Sequence, residues 1–433
     1  MPHPIRIAVA IVLSVFAGAG TVQAADTDAA VASAMPKVIE WRRDFHQHPE
    51  LGNRETRTAG IVAAQLKAMG IEVHTGVAHT GVVGVLRGGK PGPTVALRAD
   101  MDALPVTERV DVPFKSTVTA EYRGEKVGVM HACGHDGHTA MLLGVAKVLA
   151  GLRQDLPGTV VFMFQPAEEG APEGEEGGAP LMLKEGVFRD YHPQAVFGMH
   201  LWAGLNAGTV GYRSGSLMAG SDTFRLTVNG VQTHGSRPWG GVDPIVASAQ
   251  ILNNLQTIVS RQTDITRYPA VVTVGAIKGG IRFNIIPDSV EMMGTIRTFD
   301  AGVREQVIER LRRTAENTAA ASGATAKLDI LPGSNPVVIN NPDLTRQVLP
   351  SLQKAVGKDG VLEMPYITGS EDYAHFALQA PSVFFFVGST PRGQDADKAP
   401  SNHSPLYFVD ESALEVGVKA MVDVTVDYLN APR

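Results

Sequence analysis

Three histidines and the only cysteine of the chain lie within nine residues, 130–138, just before a predicted helix. Cys133 and His135 are two residues apart. A thiolate and an imidazole at that spacing can face one borderline cation, and a nearby helix N-terminus favours the thiolate. By itself the segment fits equally well a surface metal scavenger or a set of hydrogen-bonded core groups.

Two adjacent carboxylates, Glu168 and Glu169, follow a predicted buried strand over 159–164. Neighbouring carboxylates that lose hydration repel each other and need a compensating cation, which a metal site supplies. Because neighbouring side chains diverge in an extended chain, one carboxylate can bind the metal while the other acts as general base toward water. The alternative is that both residues simply extend the acidic loop over 170–178.

Two further histidines, His200 and His403, are expected at strand ends. Loops at the carboxyl ends of sheet strands are where open α/β folds place their sites. Together with the cysteine segment and the paired glutamates, they predict one metal-dependent hydrolytic site.

The elements that would position these residues alternate between helix and strand, which predicts an α/β fold. Near-continuous apolar strands are expected over 82–86, 94–100, 159–164, 195–199 and 383–387, with helices over 35–69, after Asp136, and over 412–428. Residues 216–332 change character and show the β-α-β-β-α-β order of a split ferredoxin-like unit. We therefore expect this unit to be inserted between two parts of one domain, 25–215 and 333–433.

The N-terminus is typical of a secretion signal. Arg6 precedes an apolar run over 7–20, and Val22-Gln23-Ala24 fits a small-x-small cleavage site. We expect a signal peptide over 1–24, cleavage after Ala24, and a periplasmic or secreted protein. No comparable apolar stretch follows, so no membrane association is expected after cleavage.

Composition excludes several classes of protein. The chain has 433 residues with 38 Lys+Arg against 44 Asp+Glu, a net charge of −6, and no basic run. Nucleic acid is therefore not an expected partner, because phosphate binding needs concentrated positive charge. A single cysteine cannot form an internal disulfide, and the length is enough for two or three domains with cores of their own.

Six motifs in order resemble the metal-dependent amidohydrolases that include hippurate hydrolases, N-acyl-amino-acid hydrolases and the auxin-conjugate hydrolases of plants. The resemblance covers about residues 41–428. The motifs are Arg-Ala-Asp-Met-Asp-Ala-Leu-Pro (98–105), His-Ala-Cys-Gly-His-Asp-Gly-His (131–138), Phe-Gln-Pro-Ala-Glu-Glu-Gly (164–170), Gly-Met-His-Leu-Trp (198–202), Thr-His-Gly-Ser-Arg-Pro (233–238) and Gly-Gly-Ile-Arg-Phe-Asn-Ile-Ile-Pro-Asp (279–288).

The resemblance implies a mixed-sheet α/β catalytic domain, similar to aminopeptidases and carboxypeptidases, with a ferredoxin-like α+β lid and dimerisation domain. It implies two divalent metal ions, Zn or Mn, with Co or Ni as further possibilities. Cys133 stands where related carboxypeptidases use a bridging carboxylate. The implied ligands are Cys133, His135, Glu169, His200 and His403.

The same resemblance assigns the remaining roles. Glu168 would be the general base. His234 would reach the active site of a partner subunit in a homodimer and stabilise the developing oxyanion, and Asn284 would hold substrate. The alternatives are a loop histidine with local bonds only, and an asparagine that merely fixes a turn. Asp100 and Asp102 are expected to orient ligand histidines.

The expected activity is hydrolysis of the amide bond of N-acyl amino acids, hippurate-like, or of short peptide-like amides, by a metal-activated water. The sequence leaves three alternatives: an exported dipeptidase or carboxypeptidase of the same family, a metal- or ligand-binding protein without turnover, and a thiol hydrolase that uses Cys133. One departure from related sequences, the acidic insertion over 171–176, puts close transfer of a substrate in doubt.

Overall fold

The computed structural model describes residues 24–432. The expected signal peptide therefore lies outside the described residues, except for Ala24, which begins the first helix. Within the described part of the chain, none of the helices combines the length and the apolar composition needed to cross a lipid bilayer.

The long helices after Asp136 and over 412–428 lie close to the predicted ranges. The helix expected over 35–69 begins earlier, at Ala24, and is broken at 48–55 into two helices; the first ends at Gln47, just before His48 and Pro49, and a residue before proline is disfavoured in helix. Four helices are not among the predicted elements: Gly178–Lys184, Val187–Tyr191, Pro342–Val356 and Ala374–Ala377. The helices are α1 (Ala24–Gln47), α2 (Thr56–Ala68), α3 (His135–Gly151), α4 (Gly178–Lys184), α5 (Val187–Tyr191), α6 (Pro244–Gln262), α7 (Ala301–Ala321), α8 (Pro342–Val356), α9 (Ala374–Ala377) and α10 (Ser412–Asn430).

The strands include each of the predicted apolar runs. They are β1 (Glu72–Val77), β2 (Gly81–Arg87), β3 (Lys90–Asp100), β4 (Thr119–Tyr122), β5 (Glu125–Gly128), β6 (Pro157–Gln165), β7 (Ala195–Asn206), β8 (Val210–Tyr212), β9 (Gly215–Met218), β10 (Gly220–Asn229), β11 (Thr233–His234), β12 (Ala270–Gly279), β13 (Ile285–Ile286), β14 (Ser289–Thr298), β15 (Thr325–Ile330), β16 (Val338–Asn340), β17 (Val361–Glu363) and β18 (Ser382–Thr390).

The larger sheet has eight strands in the order β1-β2-β6-β3-β7-β18-β8-β17. Its centre is parallel, since β3 pairs in parallel with both β6 and β7, and β7 pairs in parallel with β18. The strands β1 and β2 add an antiparallel edge. Helices α1, α3 and α10 cover one face around one apolar core, and α4 and α9 cover the other around a second core. This is the mixed-sheet α/β architecture that the sequence predicts.

A smaller antiparallel sheet, in the order β12-β14-β10-β15, carries α6 and α7 and has its own apolar core. Its strands and helices follow one another as β-α-β-β-α-β, the order that the sequence predicts for this part of the chain. A short two-stranded ribbon, β11 with β13, is not among the predicted elements. It carries the segment that contains His234 and Asn284.

The parallel centre brings three chain segments to one edge of the larger sheet. Asp100 at the end of β3 lies opposite Gln165 at the end of β6, and Arg98 lies opposite Gly198 in β7. The carboxyl ends of these strands therefore meet, and the loops that leave them hold their side chains in one place.

Candidate metal centre

Six side chains from four regions of the sequence converge at this edge of the sheet. We call them the Cys133 cluster: Cys133, His135, Glu168, Glu169, His200 and His403. Within the described residues, two groups of candidate ligand atoms share the thiol of Cys133, and in each group the atoms lie within 4.8 Å of one another. The first is Cys133 with His135 and His200, and the second is Cys133 with Glu169 and His403.

The distances within the cluster fit shared cations. The Sγ atom of Cys133 lies 3.4 Å from Nε2 of His200 and 3.2 Å from Nε2 of His403, and the latter atom is 2.9 Å from Oε1 of Glu169. A sulfur and a nitrogen bound to one tetrahedral zinc ion would be roughly 3.6 Å apart, from bond lengths of about 2.3 and 2.05 Å. Small adjustments would therefore place a cation in each group, with the thiolate between them.

Two of the cluster histidines are oriented by backbone carbonyl groups. Nδ1 of His135 donates to the carbonyl oxygen of Asp102 at 2.8 Å, and Nδ1 of His200 donates to that of Leu201 at 2.7 Å. Both rings therefore present Nε2 to the cluster, which is the usual arrangement of a metal-bound histidine. Nε2 of His135 is buried and has no hydrogen-bond partner among the described residues, so it lacks the partner that a cation would provide.

The local sequence explains how Cys133 and His135 can both face the cluster. Gly134 separates Cys133 from His135 and adopts a φ of 95°, where a side chain would be strained and its Cβ would lie 3.1 Å from the Tyr407 hydroxyl. The glycine allows the chain to turn sharply, so that His135 begins α3 while the thiol points back to the same centre.

His403, the candidate ligand from the C-terminal part of the chain, lies in the loop between β18 and α10. The backbone N–H of His403 donates to the carbonyl oxygen of Ala132 at 2.7 Å. The amide of Asn402 donates to the carbonyl oxygens of Cys133 and Leu201 at 3.1 and 3.0 Å. These bonds hold the loop against the cysteine segment and against β7.

The charged groups of the cluster would be stabilised by bound cations. Burial raises the pKa of the Cys133 thiol, and the neighbouring Glu169 and Glu168 raise it further, so the thiol needs a cation beside it to ionise. Burial alone would lower the pKa of His135, but Asp100 and Asp102 outweigh it and raise the pKa to about 10. The site is therefore strongly electronegative, as the donor set of a metal pair should be.

Glu168 differs from Glu169 in what surrounds it. Burial and the nearby Glu371 and Glu169 raise the pKa of Glu168 well above its usual range. Its Oε2 lies 4.0 Å from Nε2 of His135, whereas Glu169 contacts His403. Glu169 therefore contacts the second donor group, although one oxygen of each carboxylate also lies within 4.8 Å of a ring nitrogen of His135. The assignment of Glu169 as ligand and Glu168 as base stays a prediction.

Asp100 and Asp102 lie next to the histidines, but the histidine that Asp100 hydrogen-bonds is His138, which is not one of the implied ligands. Oδ1 of Asp100 accepts from Nδ1 of His138 at 2.6 Å, and Oδ1 of Asp102 lies 3.3 Å from Nδ1 of His135. His138 is fully engaged, because its Nε2 also accepts from the N–H of Leu201 at 2.7 Å. His131 is buried, and burial lowers its pKa to about 3. Of the three histidines over 131–138, only His135 is therefore presented to the cysteine.

His234 and Asn284 lie together on the β11–β13 ribbon and not in the cluster. The N–H of Gly235 donates to the carbonyl oxygen of Asn284 at 2.8 Å, and Nδ1 of His234 accepts from the N–H and hydroxyl of Ser236. Among the residues that the structure describes, no hydrogen bond joins these two side chains to the Cys133 cluster. We call this segment the His234 ribbon.

Arg98, which has no predicted role, is fully buried behind the cluster. It donates to Gln165 at 2.8 Å and pairs with Asp100, Glu371 and Asp372 at 2.6, 2.8 and 3.1 Å. The signal that could have found it is a lone arginine inside an otherwise apolar predicted strand, because a buried guanidinium must have carboxylate partners.

The acidic insertion over 171–176 is tied down by ion pairs. Glu175 accepts from Arg54 at 2.6 Å and from Asn53 at 3.0 Å, and Glu176 binds Lys184. The insertion also walls a cavity of about 210 Å³ that adjoins Glu169. The cavity lining includes the apolar residues Leu51, Leu104 and Pro105, so space for an apolar substituent lies beside the donor atoms.

Known proteins that resemble this chain are named as hydrolases, and one of them is described as binding two metal ions, in agreement with the candidate metal site. The chain is 40% identical over 396 residues to "Thermostable carboxypeptidase 2" of Saccharolobus solfataricus, covering 91% of this chain and 95% of that protein. It is 38% identical over 401 residues to an IAA-amino acid hydrolase of Arabidopsis thaliana, covering 91% and 86%. A Bacillus subtilis crystal structure, described as a dinuclear metal-binding peptidase from the M20 family, superposes with a TM-score of 0.76 at 35% identity, covering 92% and 99%.

A family model of peptidases matches residues 96–427, which include all six members of the Cys133 cluster. The relatives are named as hydrolases, and this confirms the predicted enzyme class, a metal-dependent amidohydrolase. The chain belongs to peptidase family M20/M25/M40.

Proposed function

We propose that this protein hydrolyses the amide bond of N-acyl amino acids, or of short peptide-like amides, with two divalent metal ions held by the Cys133 cluster. The observation that carries the proposal is the pair of three-donor groups that share one thiol and lie beside Glu168. The relative named IAA-amino acid hydrolase and the structure titled as a dinuclear metal-binding peptidase support both the reaction and the number of metal ions.

In the proposal, Glu168 is the residue that moves the proton. In the proposal its carboxylate takes a proton from the attacking water and later returns it to the departing amine, so no covalent intermediate is needed. Its shielding from solvent suits this role, because burial raises the pKa of the carboxyl group toward the working range of a base. The cations, when bound, would polarise the amide carbonyl and lower the pKa of water.

The proposed metal is Zn or Mn, with Co or Ni as further candidates. Thiolate and imidazole donors suit Zn, and the carboxylate of Glu169 also suits Mn. In the proposal, the shared thiol of Cys133 takes the place that a bridging carboxylate holds in related carboxypeptidases.

Metal removal and Glu168→Gln test the proposal together. Chelation should abolish hydrolysis of N-acyl amino acids, and addition of Zn or Mn should restore it. Glu168→Gln should lower kcat by about 10²- to 10⁴-fold while the bound metal stays nearly unchanged. Glu176→Gln, which removes a surface carboxylate bound to Lys184, is the control. Full activity of the metal-free protein would refute the proposal.

A dipeptidase or carboxypeptidase is the second candidate, favoured by the 40% identity to the protein named as a carboxypeptidase. A panel of N-acyl amino acids and dipeptides, assayed with Zn, Mn and Co, separates the two as ratios of kcat/KM. A protein that binds metal without turnover would show full occupancy and no hydrolysis across the panel.

A thiol hydrolase is disfavoured by the setting of Cys133. The thiol is buried, its pKa is raised, and two nitrogens close to it belong to the other proposed ligands His200 and His403. Alkylation that inactivates only after metal removal would argue against Cys133 as a nucleophile.

We also propose that residues 216–332 form a lid and dimerisation unit, and that His234 of one protomer completes the site of the other while Asn284 holds substrate. Three large apolar side chains near the His234 ribbon are strongly exposed: Trp239 (77%), Ile281 (98%) and Phe283 (95%). A patch of this kind is typical of a surface that a second chain covers. We call these three residues the ribbon patch.

Export is the last part of the proposal. The N-terminal residues fit a signal peptide that ends at Ala24, which would place the mature protein in the periplasm or outside the cell. N-terminal sequencing of the protein recovered from the periplasm or medium tests it, since a mature chain beginning at Ala25 is expected.

A further inference from the structure

The chain turns sharply between β6 and the paired glutamates. Ala167, directly before Glu168, adopts a φ of 51°, a left-handed conformation that is strained for a non-glycine residue. Pro166 precedes it and has no N–H to anchor the turn. We call residues 166–167 the elbow, because its angle determines where Glu168 and Glu169 point.

Three successive backbone N–H groups at the elbow are each bound by a buried carboxylate. Asp102 accepts from the N–H groups of Glu168 and Glu169, both at 3.0 Å. The N–H of Ala167 itself is bound at 2.8 Å by Oε1 of Glu55, a residue more than a hundred positions earlier in the chain.

Glu55 does not serve the helix at whose start it lies. Its side chain does not cap α2. The first-turn N–H groups of Arg57 and Thr58 are instead bound by Glu50, at 2.9 and 2.8 Å. The side chain of Glu55 turns inward, is fully buried, and uses its second oxygen to accept from the hydroxyl of Thr80 at 2.5 Å.

Burying a carboxyl group in this way is costly. Burial and the nearby Asp102 raise the pKa of Glu55 to about 7. In either protonation state Oε1 remains an acceptor for the N–H of Ala167, so the bond to the elbow does not depend on the charge. The hydrogen bonds to Ala167 and Thr80 offset part of this cost.

We propose that Glu55 is a positioning residue for the reaction: it holds the elbow at Ala167 and thereby sets the directions of Glu168 and Glu169. Among the hydrogen bonds of the described residues, none joins the Glu55 side chain to a cluster side chain, so it acts through the backbone. Without it the N–H of Ala167 would be buried without a partner, and the left-handed residue would lose the bond that compensates its strain. The expected change in kcat rests on the proposed function, whereas the expected change in the directions of Glu168 and Glu169 does not.

Glu55→Ala should lower kcat by about 10- to 100-fold and leave KM within a few-fold, because outer groups that orient metal-site residues typically have effects of this size. The protein should also retain less metal after dialysis. In the cobalt-substituted protein the visible absorption bands should shift, since Glu169 is a proposed ligand whose direction changes.

Three further variants show whether the effect comes from the elbow. Glu55→Gln keeps an acceptor at Oε1 and should behave nearly as the parent protein. Ala167→Gly in the Glu55→Ala background should recover part of the lost kcat, because glycine adopts a positive φ without strain. Glu185→Ala is the matched control, because its carboxylate binds the N–H of Ala78, in the same turn as Thr80, rather than an N–H of the elbow.

The inference is overturned if Glu55→Ala keeps its kcat, metal content and cobalt spectrum, or if Glu185→Ala reproduces all its effects, which would indicate general damage to the turn. A loss in Glu55→Gln as large as in Glu55→Ala would also overturn it, because the charge would then be what matters. If Glu55→Ala does not fold, Glu55→Gln and Ala167→Gly still give the metal and spectral readouts. Failure of the parent protein to hydrolyse any amide would refute the proposed function and leave these readouts intact.

Discussion

The Cys133 cluster and the His234 ribbon differ in how their side chains are held. In the cluster, the ring of His135 and the backbone N–H groups of Glu168 and Glu169 are bound by Asp102, and the backbone carbonyl group of Cys133 is bound by Asn402. In the ribbon, the hydrogen bonds of the His234 ring within the described residues go to Ser236, two residues away, and exposed apolar side chains lie nearby in the sequence. The cluster is assembled within one chain, whereas the ribbon presents an uncovered apolar surface.

The cluster and the ribbon are therefore held in position by different kinds of contact. The cluster is preorganised by buried hydrogen bonds and ion pairs, so its geometry depends on the fold of the larger sheet. The ribbon would gain its final position through contacts with a partner, as the dimer proposal requires. Substitutions in the two regions should therefore affect different measurements.

The largest expected effect is from Cys133→Ala. Loss of the shared donor removes a ligand from both groups at once, so kcat/KM should fall by at least about a thousandfold and both metal ions should be lost on dialysis. Metal analysis and kinetics measure this. Cys133→Asp, which restores a bridging donor of the kind that the related carboxypeptidases use, should retain more metal than Cys133→Ala; equal loss would show that the site does not use residue 133 as a bridge.

Arg98→Met should destabilise the fold strongly. The change leaves Asp100, Glu371 and Asp372 buried without their common cation, which should lower the free energy of unfolding by about 3 to 5 kcal/mol. Urea denaturation measures it. Arg282→Met, the same change at an exposed site beside the ribbon patch, should alter the free energy by no more than about 0.5 kcal/mol. Similar values for both would contradict the contrast between the two regions.

His234→Ala should lower kcat by about 10²- to 10³-fold if its ring stabilises the oxyanion. Mixed dimers of two inactive variants give a sharper test. When His234→Ala and Glu168→Gln chains are co-expressed, about half of the dimers are mixed, and each mixed dimer has one intact site if His234 acts across the interface. About one quarter of the parent activity should then return. No recovery in a confirmed mixed dimer would place His234 in its own chain's site.

The smallest expected effect is on assembly. Phe283→Ser removes a large apolar side chain from the ribbon patch and should weaken dimerisation by about 2 kcal/mol, or roughly 30-fold in Kd, without lowering the melting temperature of the monomer. Sedimentation analysis at several concentrations measures it. Leu378→Ser, which removes a side chain that is 62% exposed beside the larger sheet, is the control and should leave Kd unchanged.

Much of this molecule could be predicted from its sequence, for identifiable reasons. The buried strands are continuous apolar runs and those of the smaller sheet alternate, so hydrophobic periodicity located both. The six members of the Cys133 cluster could be proposed because thiol, imidazole and carboxylate groups can bind cations and because the chain resembles a known family. The family and the enzyme class are confirmed, while the residue roles and the dimer stay predictions.

What could not be predicted depends on contacts between distant residues. In the sequence Glu55 lies in the middle of the helix expected over 35–69, and only the folded chain shows that its carboxyl group lies against Ala167. Two partners of Arg98, Glu371 and Asp372, are likewise separated from it by more than 270 positions in sequence. The sequence indicates that a buried charge needs partners but not which ones.

The position of His403 bears on the order in which the metal ions can be taken up during biosynthesis. The group of Cys133, His135 and His200 is contained in a short stretch of chain, whereas the other group includes a residue 270 positions after the cysteine. A chain still emerging from the ribosome or from a membrane channel has the first set of donors long before the second. If each group binds one ion, the group that contains His403 can bind its ion only after residue 403 has been made.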